Sequence, residues 1–444
     1  MKKIRVGFTI YFTKLCISLL RLFKSGGTSL PGKIALKLYP NILREVSSGY
    51  KTIFITGTNG KTTTAKMIVN MIRSNGYDVI TNDAGANMKT GITTCFIKNY
   101  KGQSQGGYAV IEIDEANLQL VSPEVEVSYL LITNIFRDQL DRYGEIYTTL
   151  AKIIEGVNDE QTVLILNGDE PLFNNIDLPN QKVFFGLELE NDDEIDVNVE
   201  GKFCVRCKHP YSYNFLSYSH LGDYYCESCG YKRPTLAYSG TDVVQNKNST
   251  STFRYENKDI NIKMSGLYNV YNAMSAITIA ETIGLDMDKA IVSLEAEKSP
   301  FGRQEEVIIG DKAVKLMLVK NPAGYNQALD TLLAVDDNVT AGFLLNDNFA
   351  DGQDVSWIFD VAFERVSGIV KHAYVGGVRS YDMAIRLNVS GVTKDKIEVF
   401  DSYNEFLELI EACEDDAVYV FLTYTAMMEF RRFLFDKKLI DKLY

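Results

Sequence analysis

The stretch Ile53–Thr64, IFITGTNGKTTT, constrains this chain more than any other. Thr52-Ile53-Phe54-Ile55 reads as a short buried strand, and Thr56–Gly60 is a small, flexible turn. From Lys61, Ala65, Ile68, Val69 and Ile72 recur at helical spacing, with Gly76 as a stop. Strand, glycine turn and helix in that order make a phosphate cradle. Gly57, Thr58, Asn59 and Gly60 can close backbone N–H groups on an anion, and the helix N-terminus adds its partial positive charge. Lys61 then reaches the outer phosphates, the hydroxyl of Thr62 sits on Mg2+, and Thr63 belongs to the same set. An ordinary Walker A loop needs glycine where this chain has Ile55, so the loop is a variant. The plain structural alternative is a glycine turn before a core helix with a solvated lysine.

At 444 residues the chain exceeds one ordinary core, and its length predicts about three domains. The net charge of −12 argues against a general nucleic-acid partner, which selects basic surfaces. No continuous apolar run is long enough to span a membrane. Seven cysteines, several in close pairs beside a nucleotide-type loop, predict a reducing cytoplasmic setting and a metal site, not a disulfide framework.

Residues 1–48 form an N-terminal segment that starts basic, with Lys2, Lys3, Arg5, Lys14, Arg21 and Lys24 among Phe8, Ile10, Tyr11, Phe12 and Leu15. Three readings stand: a signal peptide, though no small-residue cleavage site follows; an amphipathic helix on an anionic membrane surface; and a helix packed on the main domain. Beyond it, apolar strands at Tyr108–Ile113, Val127–Ile135, Thr162–Leu166 and Lys182–Phe185 alternate with helical stretches, which predicts a parallel sheet covered on both faces. Ligands on such sheets bind beyond the strand C-terminal ends. Glu112 lies at such an end, followed by Asp114 and Glu115, and its carboxylate is suited to Mg2+. A solvated acidic turn is the alternative.

Cys204-x2-Cys207 and Cys226-x2-Cys229 have the spacing of a four-thiolate zinc site. Four cysteines close the coordination sphere, so the expected Zn2+ is structural and holds a small ribbon within residues 200–235. Cys16, Cys95 and Cys413 read as buried apolar cysteines. Past Lys312 a second alternating pattern begins, with strands expected at Val314–Val319, Val339–Leu345, Gly368–Val375, Lys396–Phe400 and Ala417–Leu422. That pattern predicts a C-terminal Rossmann-like α/β domain over 301–444.

The TGTNGKT loop resembles that of the Mur ligase superfamily, which includes folylpolyglutamate synthetase. Those enzymes use ATP to turn a carboxylate into an acyl phosphate, which an amine attacks. The resemblance implies a Mur ligase-like central domain over 49–300 carrying the ribbon. It implies that Asn134, in a TN stretch before RDQLDRYG, belongs to the nucleotide site; Gln139 stands where Mur ligases have a metal-binding histidine. Lys152 lies where several carry a carbamylated lysine, and Asn167–Pro171 is similar to the N-x-D-D-P turn. Gly266, Asn269, Asn272 and Ala273 match the helix that holds adenine, with Tyr268 replacing its histidine. Arg303, in a segment similar to the G-R-x-E hinge, becomes a candidate for the γ-phosphate.

Where Mur ligases read D-Y-A-H-x-P to bind an amino acid, this chain has Val319-Lys320-Asn321-Pro322-Ala323-Gly324. The segment Leu345–Trp357, with the cysteine insertion, looks like one family: the MurT ligase subunits of lipid II isoglutaminyl synthase. That resemblance implies ATP-dependent amidation of the D-Glu α-carboxylate of lipid II to D-isoglutamine through an acyl phosphate. Ammonia would come from a glutaminase partner of the GatD type. It implies ATP, Mg2+ and Zn2+ as cofactors, Lys61 and Glu112 in catalysis, and Asp354 completing the partner's Cys–His triad, with Asp351 as the alternative. A ligase that adds an amino acid, a zinc-ribbon NTPase acting on nucleic acid and an ATP-binding scaffold are the competing functions. Trp357, the only tryptophan, reads as core or interface.

Overall fold

The structure is a computed structural model that describes residues 2–22, 29–82, 85–102, 106–137, 146–190, 201–246, 250–297, 303–333 and 339–441. The strand expected before the glycine turn is β1 (Lys51–Thr56), buried after its first residue. It lies in one parallel set with β2 (Val79–Thr81), β3 (Tyr108–Glu112), β4 (Val127–Ile132), β5 (Val163–Asn167) and β6 (Lys182–Leu187), in the order β6-β5-β4-β1-β3-β2. Side chains of β1 alternate between two layers. Ile53 and Ile55 pack beneath the helices Lys61–Ser74 and Leu267–Thr282. Phe54 faces a second core with Ile92 and Phe96 of the helix Lys89–Asn99. Covered on both faces, the sheet leaves the carboxyl ends of its strands for ligands.

The cysteine insertion folds as an antiparallel hairpin, β7 (Ser212–Tyr218) and β8 (Leu221–Tyr225). The chain then re-enters the main sheet, where the expected parallel set is extended by antiparallel strands. β9 (Tyr238–Gln245) runs parallel to β6, but β10 (Ser251–Tyr255) and β11 (Lys258–Ile262) double back antiparallel at the edge, giving nine strands. These edge strands bury one face only: Phe253, Tyr255, Ile260 and Ile262 point inward while Arg254 points out. One-sided burial produces alternation instead of the continuous apolar runs that marked β1, β3, β4 and β5.

The second sheet comprises β12 (Arg303–Ile309), β13 (Lys312–Leu318), β14 (Val339–Leu344), β15 (Val370–Gly376), β16 (Ile397–Val399) and β17 (Ala417–Leu422), in the order β12-β13-β17-β14-β15-β16. Only β12 is antiparallel to its neighbour. Trp357 packs on Tyr325 in this domain's core, with ring centroids 6.1 Å apart.

The basic N-terminal stretch is a helix, Lys2–Leu22, laid against the helices Leu30–Leu38 and Lys89–Asn99. Thr9, Ile10 and Thr13 are buried, Arg5 donates to the Leu38 carbonyl at 2.9 Å, and Lys14 Nζ donates to the Tyr100 carbonyl at 2.7 Å. The opposite face leaves Ile4, Phe8, Tyr11, Phe12, Leu15 and Leu19 exposed. Among the described residues no helix is long and apolar enough to cross a membrane. Cys95 and Cys413 are buried as expected; Cys16 is only half-buried. Lys152 lies on the helix Ile146–Glu155, whereas Gln139, like the rest of Asp138–Gly144, lies outside the described residues.

Candidate active site

Two glycines shape the cradle after β1. Gly57 (φ +116°) and Gly60 (φ +87°) occupy the left-handed region. A Cβ at Gly57 would meet Thr133 Oγ1 at 2.4 Å, and one at Gly60 would meet Asn272 Oδ1 at 2.1 Å. The loop is therefore packed from below by the end of β4 and from the side by the helix Leu267–Thr282. The residues after β4 hold it in register. Asn134 Oδ1 accepts from the Asn59 N–H at 2.9 Å, its carbonyl accepts from the Thr58 N–H at 2.9 Å, and Thr133 Oγ1 donates to the Asn59 carbonyl at 2.8 Å.

Lys61 opens the helix that follows, and its Nζ donates to the Gly57 carbonyl at 2.5 Å and to Glu115 Oε1 at 2.8 Å. Thr62 Oγ1 donates to Glu112 Oε2 at 2.8 Å. Glu112, Asp114 and Glu115 are all buried, which replaces the solvated-turn alternative with an enclosed acidic edge. Asn82 fixes Glu112 by both backbone groups, accepting from its N–H and donating to its carbonyl at 2.9 Å each. Thr63 is buried behind the loop. Asn272 Oδ1 accepts from Thr64 Oγ1 at 3.3 Å, while Asn269 donates to the Ser265 carbonyl at 2.7 Å and accepts from Asn272. Arg303 is the first residue of β12, and its side chain lies outside the described ones.

The second sheet reaches the cradle through the segment after β13. Lys320 Nζ donates to the Thr58 carbonyl at 3.2 Å, and Asn321 pairs with the side chain of Asn59. An open cleft lies between them. Asn59, Gly60, Asn134 and Lys320 give it polar walls; Tyr218, Tyr268, Met317 and Leu318 give it apolar ones. Sequence reasoning missed Lys320, Asn321 and Tyr218 here, and Glu115 as the partner of Lys61. The one available signal was position: Lys320 and Asn321 follow a strand end, where ligands bind.

The four cysteines converge on two matching knuckles. Lys208 N–H donates to the Cys204 carbonyl and Gly230 N–H to the Cys226 carbonyl, each at 2.9 Å. Lys208 (φ +63°) and Gly230 (φ +72°) make the left-handed turn that closes each knuckle. All four Sγ atoms lie within 4.8 Å of one another, with Cys204–Cys229 at 3.6 Å and Cys207–Cys226 at 3.4 Å. Thiolates around a tetrahedral zinc with bonds near 2.3 Å stand about 3.8 Å apart, so the donor set fits that ion. The backbone N–H of His209 pulls the Cys207 thiol down to about 6, while, against the pull of the Tyr231 N–H, burial and the neighbouring thiols push Cys229 up. Tyr211, Tyr224 and Tyr231 fill the ribbon's small core.

Asp351 and Asp354 have opposite environments. Asp351 is buried and accepts from Thr425 N–H at 2.8 Å and Thr425 Oγ1 at 2.5 Å; burial pushes its carboxyl above the usual range. Asp354 is exposed, accepts a local bond from Ser356 N–H at 2.8 Å, and is held below the usual range by that serine. An ionised, accessible carboxylate is the form that can receive a hydrogen bond from another chain.

Residues 55–280 match the Mur ligase middle domain, and residues 318–427 match the MurT ligase C-terminal domain. The chain is 39% identical over 420 residues to the Streptococcus pneumoniae lipid II isoglutaminyl synthase (glutamine-hydrolyzing) subunit MurT, covering 94% of each. It is 34% identical over 403 residues to the Staphylococcus aureus subunit of the same name, covering 89% of this chain and 90% of that one. A pseudomurein peptide ligase type C from Methanothermus fervidus has a similar fold, with a TM-score of 0.68 at 20% identity over 90% of this chain and 81% of that one. MurF from Acinetobacter baumannii follows at 0.64 and 16%, over 91% and 80%. With the strand–turn–helix cradle, the two α/β sheets and the C-terminal match all in one chain, it belongs to the MurT family of Mur ligases.

Proposed function

We propose that the chain is the ligase subunit of a lipid II isoglutaminyl synthase, amidating the D-Glu α-carboxylate with ammonia from a GatD-type glutaminase. The reading rests most on Thr62 and Glu112. A hydroxyl and a carboxylate 2.8 Å apart, beside a lysine at the head of a glycine cradle, are the protein ligands of a phosphate-bound Mg2+. ATP supplies the phosphoryl group that activates the carboxylate, and ammonia displaces phosphate to leave the amide, ADP and phosphate. The work of the chain is positioning and charge. Backbone N–H groups from Gly57 to Gly60 cradle the phosphates, Lys61 neutralises their outer oxygens, and Thr62 and Glu112 hold the ion. Arg303, by its place in the sequence, adds a planar cation for the transferring group.

The segment Val319–Gly324 supports ammonia as the nucleophile. Asn321 is committed to Asn59, and the segment carries neither the acidic side chain nor the histidine of D-Y-A-H-x-P. Asp354 would orient the glutaminase histidine and stabilise its cationic form. The four cysteines would hold one structural zinc, measurable as one equivalent by metal analysis. The exposed stripe on the helix Lys2–Leu22 would rest on the anionic membrane surface that carries the substrate.

Mass spectrometry of lipid II after incubation with the protein, ATP, Mg2+ and ammonium tests the reaction. An ATP-dependent carboxyl-to-amide mass change, lost in Lys61→Ala, is expected. Gain of a whole amino-acid residue would replace this reading with an amino-acid ligase.

A further inference from the structure

The nucleotide reading gives the cysteine ribbon no part in the site, yet its hairpin reaches the cleft. β7 ends at Tyr218, which lines the same cleft as Asn59, Gly60, Tyr268 and Asn272. Its ring is fixed between two others, with centroids 5.7 Å from Phe136 and 5.7 Å from Tyr271. Two polar struts tie the hairpin's tip to the cradle. In the first, Ser217 Oγ and the Tyr271 hydroxyl bond at 2.8 Å, the Tyr271 hydroxyl donates to Asp169 Oδ2 at 2.6 Å, and Arg233 pairs with Asp169 Oδ1 at 3.2 Å. In the second, His220 Nε2 lies 2.8 Å from Glu170 Oε2, and that oxygen accepts from the Ile135 N–H at 3.3 Å. Ile135 is covalently next to Asn134, which holds Asn59. The hairpin tip is thus indexed to the loop that cradles phosphate, through bonds in which Tyr271, Asp169, His220 and Glu170 are buried.

We propose that Tyr218 is a nucleobase-contact residue, so that the ribbon is a wall of the nucleotide site and not an appendage. The inference rests on the nucleotide reading above. A nucleobase has two apolar π-faces and a polar edge. Tyr218 and Tyr268 offer rigid aromatic surface, Met317 and Leu318 on the second sheet offer deformable apolar surface, and Asn272 and Gln327 offer edge partners. The cradle needs neither of the two rings, nor Met317, Leu318 or Gln327, to hold phosphate. A rigid aromatic already packed between Phe136 and Tyr271 contributes stacking without having to be ordered on binding.

The test is isothermal titration of the full-length protein with MgADP and, separately, with inorganic tripolyphosphate. Tyr218→Leu keeps apolar volume and removes the ring; Tyr218→Phe keeps the ring and removes the hydroxyl. Expected are about tenfold weaker MgADP binding in Tyr218→Leu, unchanged tripolyphosphate binding, and wild-type behaviour in Tyr218→Phe. Wild-type MgADP affinity in Tyr218→Leu overturns the proposal. So does an equal loss of both ligands, which would make Tyr218 a support of the cradle alone. Wild-type protein that binds tripolyphosphate but no MgADP overturns the nucleotide reading itself.

Discussion

Asn59 and Asn321 hold each other by both halves of their amides. Asn59 Nδ2 donates to Asn321 Oδ1 at 3.3 Å, and Asn321 Nδ2 donates to Asn59 Oδ1 at 3.0 Å. One residue belongs to the phosphate cradle and the other to the segment after β13, so the pair spans the two sheets. Each bond contributes about 1 kcal/mol net. Asn321 Oδ1 also accepts from the Gly324 N–H at 2.8 Å, which fixes its orientation. Asn321→Ala should therefore leave each domain folded and loosen their closure. A KM for ATP raised roughly tenfold, with thermal unfolding of the central domain unchanged, is the expected result. Unchanged kinetics would mean that closure depends on other contacts.

Lys61 and Glu115 form an ion pair at 2.8 Å with side chains only 12% and 7% exposed. Removing one partner of so enclosed a pair strands a charge, at a cost of about 3 kcal/mol. Glu115→Ala should show that loss in urea unfolding. The double variant Lys61→Ala/Glu115→Ala should recover part of it, because the stranded charge is gone. Additive losses would show that the two side chains act independently. Activity should behave differently: any variant lacking Lys61 loses the cation on the phosphates and should not amidate.

Asp351 and Asp354 are separable by nitrogen source. Asp354→Asn should leave ammonium-dependent amidation intact and cut glutamine-dependent amidation by about 10³-fold or more, since a triad histidine loses its orienting anion. Stability should hardly change, because Asp354 is exposed and its bond to Ser356 is local. Asp351→Asn should do the reverse. It disturbs the bonds to Thr425 at the head of the helix Tyr424–Asp436, lowers the unfolding midpoint, and reduces both reactions together. If Asp351→Asn alone gave the glutamine-specific loss, the roles would be exchanged.

The helix Lys2–Leu22 should carry the protein to anionic vesicles. At about 100° per residue its exposed apolar residues fall within roughly a 100° arc opposite the packed face. Co-sedimentation with vesicles containing phosphatidylglycerol, weaker with phosphatidylcholine alone, and lost in Phe8→Ser/Leu15→Ser is expected. A wild-type dimer that the double variant converts to monomer would assign the stripe to a second copy.

What could be read before the structure was local. Gly57 and Gly60 stand three residues apart, Cys204 and Cys226 each carry a partner three residues on, and β1, β3, β4, β5 and β6 announce themselves as apolar runs. What could not be read depends on distant approach. Glu115 meets Lys61 from 54 residues away and Asn321 meets Asn59 from 262. Tyr218 is one tyrosine among several in an aromatic segment, and only the docking of the hairpin turns it to the cleft. Asp351 and Asp354 are alike in sequence; Thr425, 74 residues on, makes one structural and leaves the other open.

The ribbon's anchorage should leave a mark on stability as pH changes. Burial pushes the Asp169 carboxyl up to about 6, against the opposing pull of Arg233, the Tyr271 hydroxyl and the Leu187 N–H; Glu188 adds to the rise. The unfolded carboxyl titrates near 3.8, so the folded protein holds this proton more tightly than the unfolded chain. Its contribution to stability is complete below the unfolded value and is lost as pH rises through about 6. Between about pH 4.5 and about pH 7.5, wild type should lose on the order of 2 kcal/mol relative to Asp169→Asn in chemical unfolding. A difference that stays flat over that range would mean that Arg233 keeps the carboxylate ionised throughout. The first strut of the hairpin would then be a permanent ion pair, and nucleotide affinity should be equally insensitive to pH there. With the proton present, Arg233 keeps Glu188 and Asp223 but loses Asp169 as a charged partner at the acid end, and MgADP binding should weaken there.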